Sequence, residues 1–381
     1  MDASPLDVIV ADGGLGSLVV GYLLAARGRS VGIVEWSPPT GTTAVSVLSA
    51  GRVDALRDFI HGVAIVSRRS AVVLQPEGGL SVGMASERFD DAAHAVAIVE
   101  RSTMAEALVE AIQALGGPTL RGDGSAVMDA SGAVVGVRAV QGHHDAARCT
   151  ILDPTNVERL VGMRDEPPRV PAWALETEWR FALDAEVIRG RFSVTERGAA
   201  EWRLFGDPLD GARGCGRLRA FGRSVALGVV VPLDEVLGRR IDVDGLGERL
   251  RAHPFIAPLL DGAVLTEVSG VATSMSEPRP DALVGDGWVL GPVAHPFDAA
   301  PLSTEIAMAE AIAEAIDDAL ASGRVTSARL SVVPKRLQAA AAAARLVPAG
   351  PIDAWADELM SDPTGIVDGL RSVAVRFAGA G

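Results

Sequence analysis

Apolar positions open the chain in a strand–helix–strand rhythm. Asp7 to Ala11 (DVIVA) is a continuous, β-branched run, which predicts a parallel strand buried on both faces. A Gly-rich turn follows over Asp12 to Ser17. Leu18 to Arg27 predicts a buried helix stopped by Gly28, and Ser30 to Val34 a second strand ended by Glu35. Further on, helices are expected around Val53 to Ile60 and over Met104 to Leu115, a hairpin strand over Ala133 to Val140, and a return strand over Cys149 to Leu152. From Ala174 to Val231 the pattern shifts to strand alternation, clearest in Ser224 to Val231. A helix over Val243 to Ala252 ends at His253-Pro254. Gly287 to Leu290 reads as another buried strand and Ser303 to Ala321 as a long helix; the tail beyond Arg324 is helical in places, with an alanine run at Ala339 to Ala344.

The first βαβ unit carries an acid, Glu35, about 20 positions after Gly14, the spacing of a dinucleotide fold with pyrophosphate at the helix N-terminus and a carboxylate on the ribose. The long interval before Gly287 to Leu290 predicts an α/β, Rossmann-like fold with a split nucleotide domain. Its first part is placed at 1–163 and its return part at 276–330. A mostly antiparallel substrate domain is inserted at 164–275, and 331–381 forms a helical tail.

Composition narrows the function. The 381 residues are 48% hydrophobic and 22% charged, as expected of a globular protein. A net charge of −14 without basic clusters speaks against nucleic acid or an anionic membrane surface as partner. Neither Cys149 nor Cys215 sits in a CxxC pair, and His143-His144 has no third ligand at a suggestive spacing, so no metal site is expected. No apolar run approaches the ~18 residues of a spanning helix. The N-terminus runs into a strand with no charged and apolar leader before it, so a cytoplasmic protein is expected.

Several segments together resemble one family. They are the first βαβ unit; Val99-Glu100-Arg101-Ser102-Thr103 before a helix; Ile151-Leu152-Asp153-Pro154-Thr155-Asn156; Ala174-Leu175-Glu176-Thr177-Glu178; Gly211 to Gly216 before a strand; Ala252-His253-Pro254; and Gly285-Asp286-Gly287-Trp288-Val289-Leu290-Gly291 before the last long helix. Over roughly residues 5 to 325 the chain resembles the geranylgeranyl reductase family, near its electron-transfer-flavoprotein–quinone oxidoreductase branch. The iron–sulfur domain of the longer quinone oxidoreductases has no counterpart here. The resemblance implies an FAD-binding fold. Gly14 would lie at the pyrophosphate, Glu35 on the ribose, Arg101 against the flavin, and Asp153 in the middle flavin motif. It also implies an apolar substrate of quinone, isoprenoid or polyketide-like type.

The departures fall where that family touches its flavin. The three glycines of the first turn read Asp12, Gly14 and Ser17. A carboxylate ~4 Å from a phosphate oxygen costs about 4 kcal/mol at an effective dielectric of 20. The Asp expected on the ribityl chain is replaced by Pro292, the glycines that should open the following helix read Ser303-Thr304-Glu305, and the middle motif has Pro154 after Asp153. FAD binding is therefore expected to be weak or absent. Three readings stay open: a flavin-independent, non-redox enzyme or non-catalytic partner of an intact flavoprotein subunit; a genuine FAD-dependent oxidoreductase with a divergent pocket; and a binder of another ligand in the vacated cleft. A homodimer is a further partner arrangement.

If the cleft has a new use, His295 is a candidate general base oriented by Asp298, against the plainer reading that it caps a loop. Cys215 is a candidate nucleophile with Arg213 or Arg217 lowering its pKa, against the plainer reading of an inert thiol in a Gly-rich turn. His253, before Pro254, reads as a structural helix end.

Overall fold

The computed structural model describes residues 5–11, 13–35, 45–49, 64–74, 82–88, 96–140, 144–152, 157, 173–196, 198–206, 213–274, 283–292 and 301–345. The strands are β1 (Leu6–Val10), β2 (Val31–Val34), β3 (Val45–Ser49), β4 (Ala64–Leu74), β5 (Val82–Arg88), β6 (Val96–Glu100), β7 (Thr119–Leu120), β8 (Gly122–Met128), β9 (Val134–Ala139), β10 (His144–Leu152), β11 (Trp173–Ala182), β12 (Gly198–Gly206), β13 (Cys215–Phe221), β14 (Ser224–Pro232), β15 (Val264–Ser274), β16 (Val284–Gly285) and β17 (Trp288–Leu290). The helices are α1 (Leu15–Ala26), α2 (Arg101–Ala114), α3 (Ala185–Phe192), α4 (Leu233–Arg239), α5 (Val243–Ala252), α6 (Ala257–Leu260), α7 (Pro301–Ala321), α8 (Ser327–Leu330) and α9 (Val333–Arg345). The helix expected around Val53 to Ile60 lies outside the described residues.

The first sheet has the order β16-β17-β10-β1-β2-β7, with β8 and β9 joined through β10. β1 runs parallel to β2 and β10, and β10 parallel to β17. This is the α/β, Rossmann-type arrangement that the opening βαβ pattern predicts. Val8 and Val10 point into a core shared with α1, α2 and α7, whereas Ile9 packs with Val137 and Ala147 on the opposite face. Burial on both sides explains why β1 is a continuous apolar run. Gly28, at φ +82°, closes α1 as a left-handed C-terminal residue, its N–H donating to the Ala25 carbonyl at 2.9 Å. β10 is longer than the expected return strand: its start pairs antiparallel with β9 and its end parallel with β1.

The second sheet, order β15-β11-β14-β13-β12-β4-β6-β3, is mostly antiparallel. β12 pairs parallel with β4 from Gly198 to Gly206, so this sheet takes in strands between residues 45 and 100, which the sequence pattern groups with the first part of the nucleotide domain. Without β4, that edge of β12 would present a long row of unpaired backbone groups. One face is apolar: Trp202, Leu218 and Leu227 pack with Ile188 and Phe192 of α3 and Leu250 of α5. The other face carries charge.

Candidate functional site

The residues expected at the two ends of a dinucleotide cradle lie on the elements the sequence pattern assigns them to. Parallel pairing of β1 and β2 brings Gly14 and Glu35 to the same, C-terminal edge of the first sheet. Gly14 is the N-cap of α1 in extended backbone, and the first turn of α1 contains no acid. Glu35 is exposed, its backbone N–H donating to the Leu120 carbonyl at 2.6 Å. Ser17, at the third glycine position, is fully buried within the α1 core.

At the other end, Pro292 lies against the first turn of α1: a Cβ on Gly16 would stand 3.0 Å from the Pro292 Cβ. Arg101 opens α2 and meets Glu305 of α7 in a bidentate ion pair, Nη1 to Oε1 at 3.1 Å and Nη2 to Oε2 at 2.8 Å. The two side chains are 17% and 12% exposed. Burial disfavours the Arg101 charge, but the carboxylates of Glu305 and Glu176 outweigh it and hold its pKa above the usual arginine value. The arginine that the resemblance assigns to the flavin is thus engaged within the chain.

Glu176 belongs to β11, so the start of α2 and of α7 front the charged face of the second sheet. Arg180, also on β11, reaches Glu100 at 3.1 Å where β6 passes into α2. We refer to this region as the junction. Strand alternation puts Glu176, Glu178 and Arg180 on one face of β11 and sends Phe181 into the apolar core. Across the sheet the same face carries Arg217 and Arg219 of β13 and Glu201 and Arg203 of β12. Small residues of β14 separate the two sets: Gly228 pairs with both Glu178 and Arg217, and Ala226 with both Arg180 and Arg219.

These charges are buried and mostly paired. Arg217 donates to Glu176 at 2.6 Å, with both side chains about one-tenth exposed. Arg219 donates to Glu201 at 3.4 Å and stands 3.8 Å from Glu178. Glu178 is 4% exposed, and among the described residues its Oε1 has no hydrogen-bond partner. Burial drives its pKa from 4.5 to about 7; Arg219 opposes the shift and Glu176 adds to it. A carboxyl whose pKa is raised by folding contributes stability that is fully present below about pH 4.5 and lost as pH rises through about 7. Glu178→Gln cannot ionise. Thermal melts from about pH 5 to pH 8 should therefore show the variant gaining on the wild type as pH rises; a constant difference would mean that Glu178 is ionised throughout.

Cys215 begins β13 and is 4% exposed. Arg213, one of the two cations expected to activate it, instead donates to Asp234 and Glu235, each at 2.7 Å, and Arg217 pairs with Glu176. His253 ends α5 as expected, its Nδ1 accepting from the Phe255 N–H at 3.2 Å. His295, Asp298, Asp153, Asp12 and His143 lie outside the described residues. Among the described residues no group of three metal-ligating side chains occurs, and no helix is long and apolar enough to cross a membrane. Sequence reasoning missed Glu178 and Arg180. The available signal was the Glu-x-Glu-x-Arg alternation within a strand, which puts three charges on one face.

No protein-family model matches the chain. It is 28% identical over 288 residues to the probable electron transfer flavoprotein–quinone oxidoreductase YdiS of Escherichia coli, an alignment covering 71% of this chain and 65% of that protein. The fold of a probable FAD-dependent monooxygenase from Pseudomonas aeruginosa, PqsL, superposes with a TM-score of 0.63 at 17% identity, covering 94% of this chain and 96% of PqsL. The chain is thus similar in sequence to a flavoprotein–quinone oxidoreductase and shares the fold of FAD-dependent enzymes. A geranylgeranyl bacteriochlorophyll reductase-like protein from Thermoplasma acidophilum shares the fold, with a TM-score of 0.62 at 15% identity, covering 94% of this chain and 91% of that one. The alignment to YdiS leaves about a third of that relative without a counterpart.

Proposed function

We propose that this oxidoreductase-fold chain has given up flavin at the ring end of its cradle and works, without redox chemistry, on a small molecule held at the junction. The carrying observation is the Arg101–Glu305 ion pair. A buried charge pair of this geometry is strongly disfavoured from opening, because breaking it leaves two uncompensated charges. Flavin would have to displace Glu305 before it could use Arg101, and would meet Pro292 where a carboxylate is expected. The adenosine end fits the nucleotide through Gly14, Glu35 and the acid-free start of α1; the ring end does not fit.

In this reading the eight-stranded sheet and its helices form the nucleotide unit. The nine-stranded sheet forms the substrate unit, from residues 45–100 and 173–274. The charged face of that sheet favours a ligand with a polar head over the wholly apolar molecule implied by family resemblance. His295, Asp298 and Cys215 remain candidates for the chemistry, and a homodimer or an intact flavoprotein subunit for the partner.

The purified protein should be colourless, or hold FAD well below one per chain. The check is its visible absorption spectrum after gel filtration, with and without added FAD. A stoichiometric oxidised-flavin spectrum that survives the column would overturn this reading in favour of a second one, an FAD-dependent oxidoreductase with a divergent pocket, which the intact adenosine end favours. Under that second reading, Glu35→Ala would weaken FAD by roughly 1.5–3 kcal/mol, the worth of hydrogen bonds to a charged acceptor.

A further inference from the structure

The second sheet ends at β15, and that edge is open. β15 runs for 11 residues, Val264–Ser274, and among the described residues it pairs with β11 alone. Proteins blunt such edges with short strands, lysines, prolines or bulges. The far end of the sheet's path follows this rule, since β3 has five residues. β15 carries no lysine, arginine or proline, and its one charge is Glu267. Its register against β11 shifts only between Arg180 and Phe181; from Glu267 to Ser274 the pairing is regular. Residues 264–268 are all exposed, as are Gly270 and Ala272. Val264, Leu265 and Val268 are 64%, 45% and 52% exposed, and no other described element carries more than one large apolar side chain so open to solvent.

The backbone of an open edge bonds any extended strand, so side chains and charge decide the occupant. We propose that the occupant is β15 of a second copy of this chain, paired antiparallel about a two-fold axis at Gly270. Gly270 is the centre of the regular stretch, and pairing about it is self-complementary. Val268 then lies opposite the partner's Ala272, apolar on apolar, in line with Trp179 and Leu175 of β11. Charge selects the same register. The net charge of −14 makes two copies repel unless their contact is nearly free of acids. With the axis at Gly270, Glu267 falls opposite position 273, six residues and about 20 Å from the other Glu267. That is roughly twice the Debye length at physiological salt. An axis at Val268 would bring the two carboxylates to about 7–8 Å. The inference goes beyond the proposed function: it selects a second copy over a flavoprotein subunit for this edge, and it stands whether or not flavin binds.

Sedimentation of the full chain over a dilution series, up to about 100 µM, should show a dimer that dissociates on dilution. Val268→Glu should raise its dissociation constant roughly tenfold or more, because the new carboxylate is laid against the partner's Ala272. Val268→Thr, which keeps the β-branch, should dimerise like the wild type. Circular dichroism of each variant confirms that it is folded. Cysteine cross-linking reads the register, with the native Cys149 and Cys215 buried and silent. A Cβ on Gly270 meets nothing nearer than 3.7 Å, so Gly270→Cys is accommodated. It should give a disulfide-linked dimer under mild oxidation, and Glu267→Cys should not. The inference is overturned if the wild type is monomeric throughout the series, or if Val268→Glu dimerises as the wild type does. It is equally overturned if Gly270→Cys fails to cross-link, or if Glu267→Cys cross-links as readily. Absorption of the same samples reads flavin separately: stoichiometric flavin in a dimer that passes these tests would sink only the flavin-independent reading.

Discussion

Glu305→Gly combined with Pro292→Asp should bind FAD roughly ten- to hundredfold more tightly than the wild type. The change frees Arg101 and restores an acceptor for the ribityl chain. Hydrogen bonds to charged groups are worth about 1.5–3 kcal/mol, and each 1.4 kcal/mol is about tenfold in affinity. The gain has a cost in the free protein. Arg101 loses its bidentate partner in a site where its side chain is only 17% exposed. Removing one member of a buried pair typically costs about 3–5 kcal/mol, and glycine within a helix about 1 more. The double variant should therefore melt well below the wild type without FAD and recover as FAD is added, because a ligand that binds only the folded state stabilises it. Calorimetry and melts with a series of FAD concentrations measure both halves. A variant that is destabilised but gains no affinity would show that flavin is blocked elsewhere, with Asp12 the next candidate.

Arg217→Ala should destabilise the protein by about 3–5 kcal/mol, whatever Arg217 does for a ligand. Its guanidinium is buried against Glu176 at 2.6 Å, and removing it strands that carboxylate inside the sheet. Lost activity in Arg217→Ala alone would therefore say little about chemistry. Arg217→Met with Glu176→Leu removes both charges at similar volume, and such replacements are often neutral or stabilising. Urea titration should place the double variant within about 1 kcal/mol of the wild type. If it is stable but no longer binds ligand, Arg217 or Glu176 contacts the ligand; if it is stable and binds normally, the pair is structural. A double variant as unstable as Arg217→Ala would show that the rest of the charged face depends on this pair, with Arg203, directly across from Arg217, the nearest cation.

The first sheet was legible because its physics is local. A strand buried on both faces must be apolar throughout, and a helix entered through a glycine turn and left through Gly28 carries its own start and stop, so β1, α1, β2 and the region of β17 and α7 emerged from the pattern alone. The second sheet was legible only where one face meets helices, as in β14. Its extension through β4 was not, because Ala64–Leu74 places Ser67, Arg68, Arg69 and Ser70 in mid-strand and breaks the alternation that marks a half-buried strand. The candidate site divides in the same way. Gly14 and Glu35 could be named from spacing and Arg101 from the family resemblance, and the departures from the resembled motifs at Pro292 and Glu305 could be read residue by residue. That Glu305 pairs with Arg101, 204 residues away along the chain, is a matter of which helix starts meet. Likewise a Glu in a strand reads as a solvated face until the sheet is assembled. Only the register of β11 against β14 and β13 turns Glu178 into a desolvated carboxyl, because burial and partners are properties of the assembled sheet and not of any segment within it.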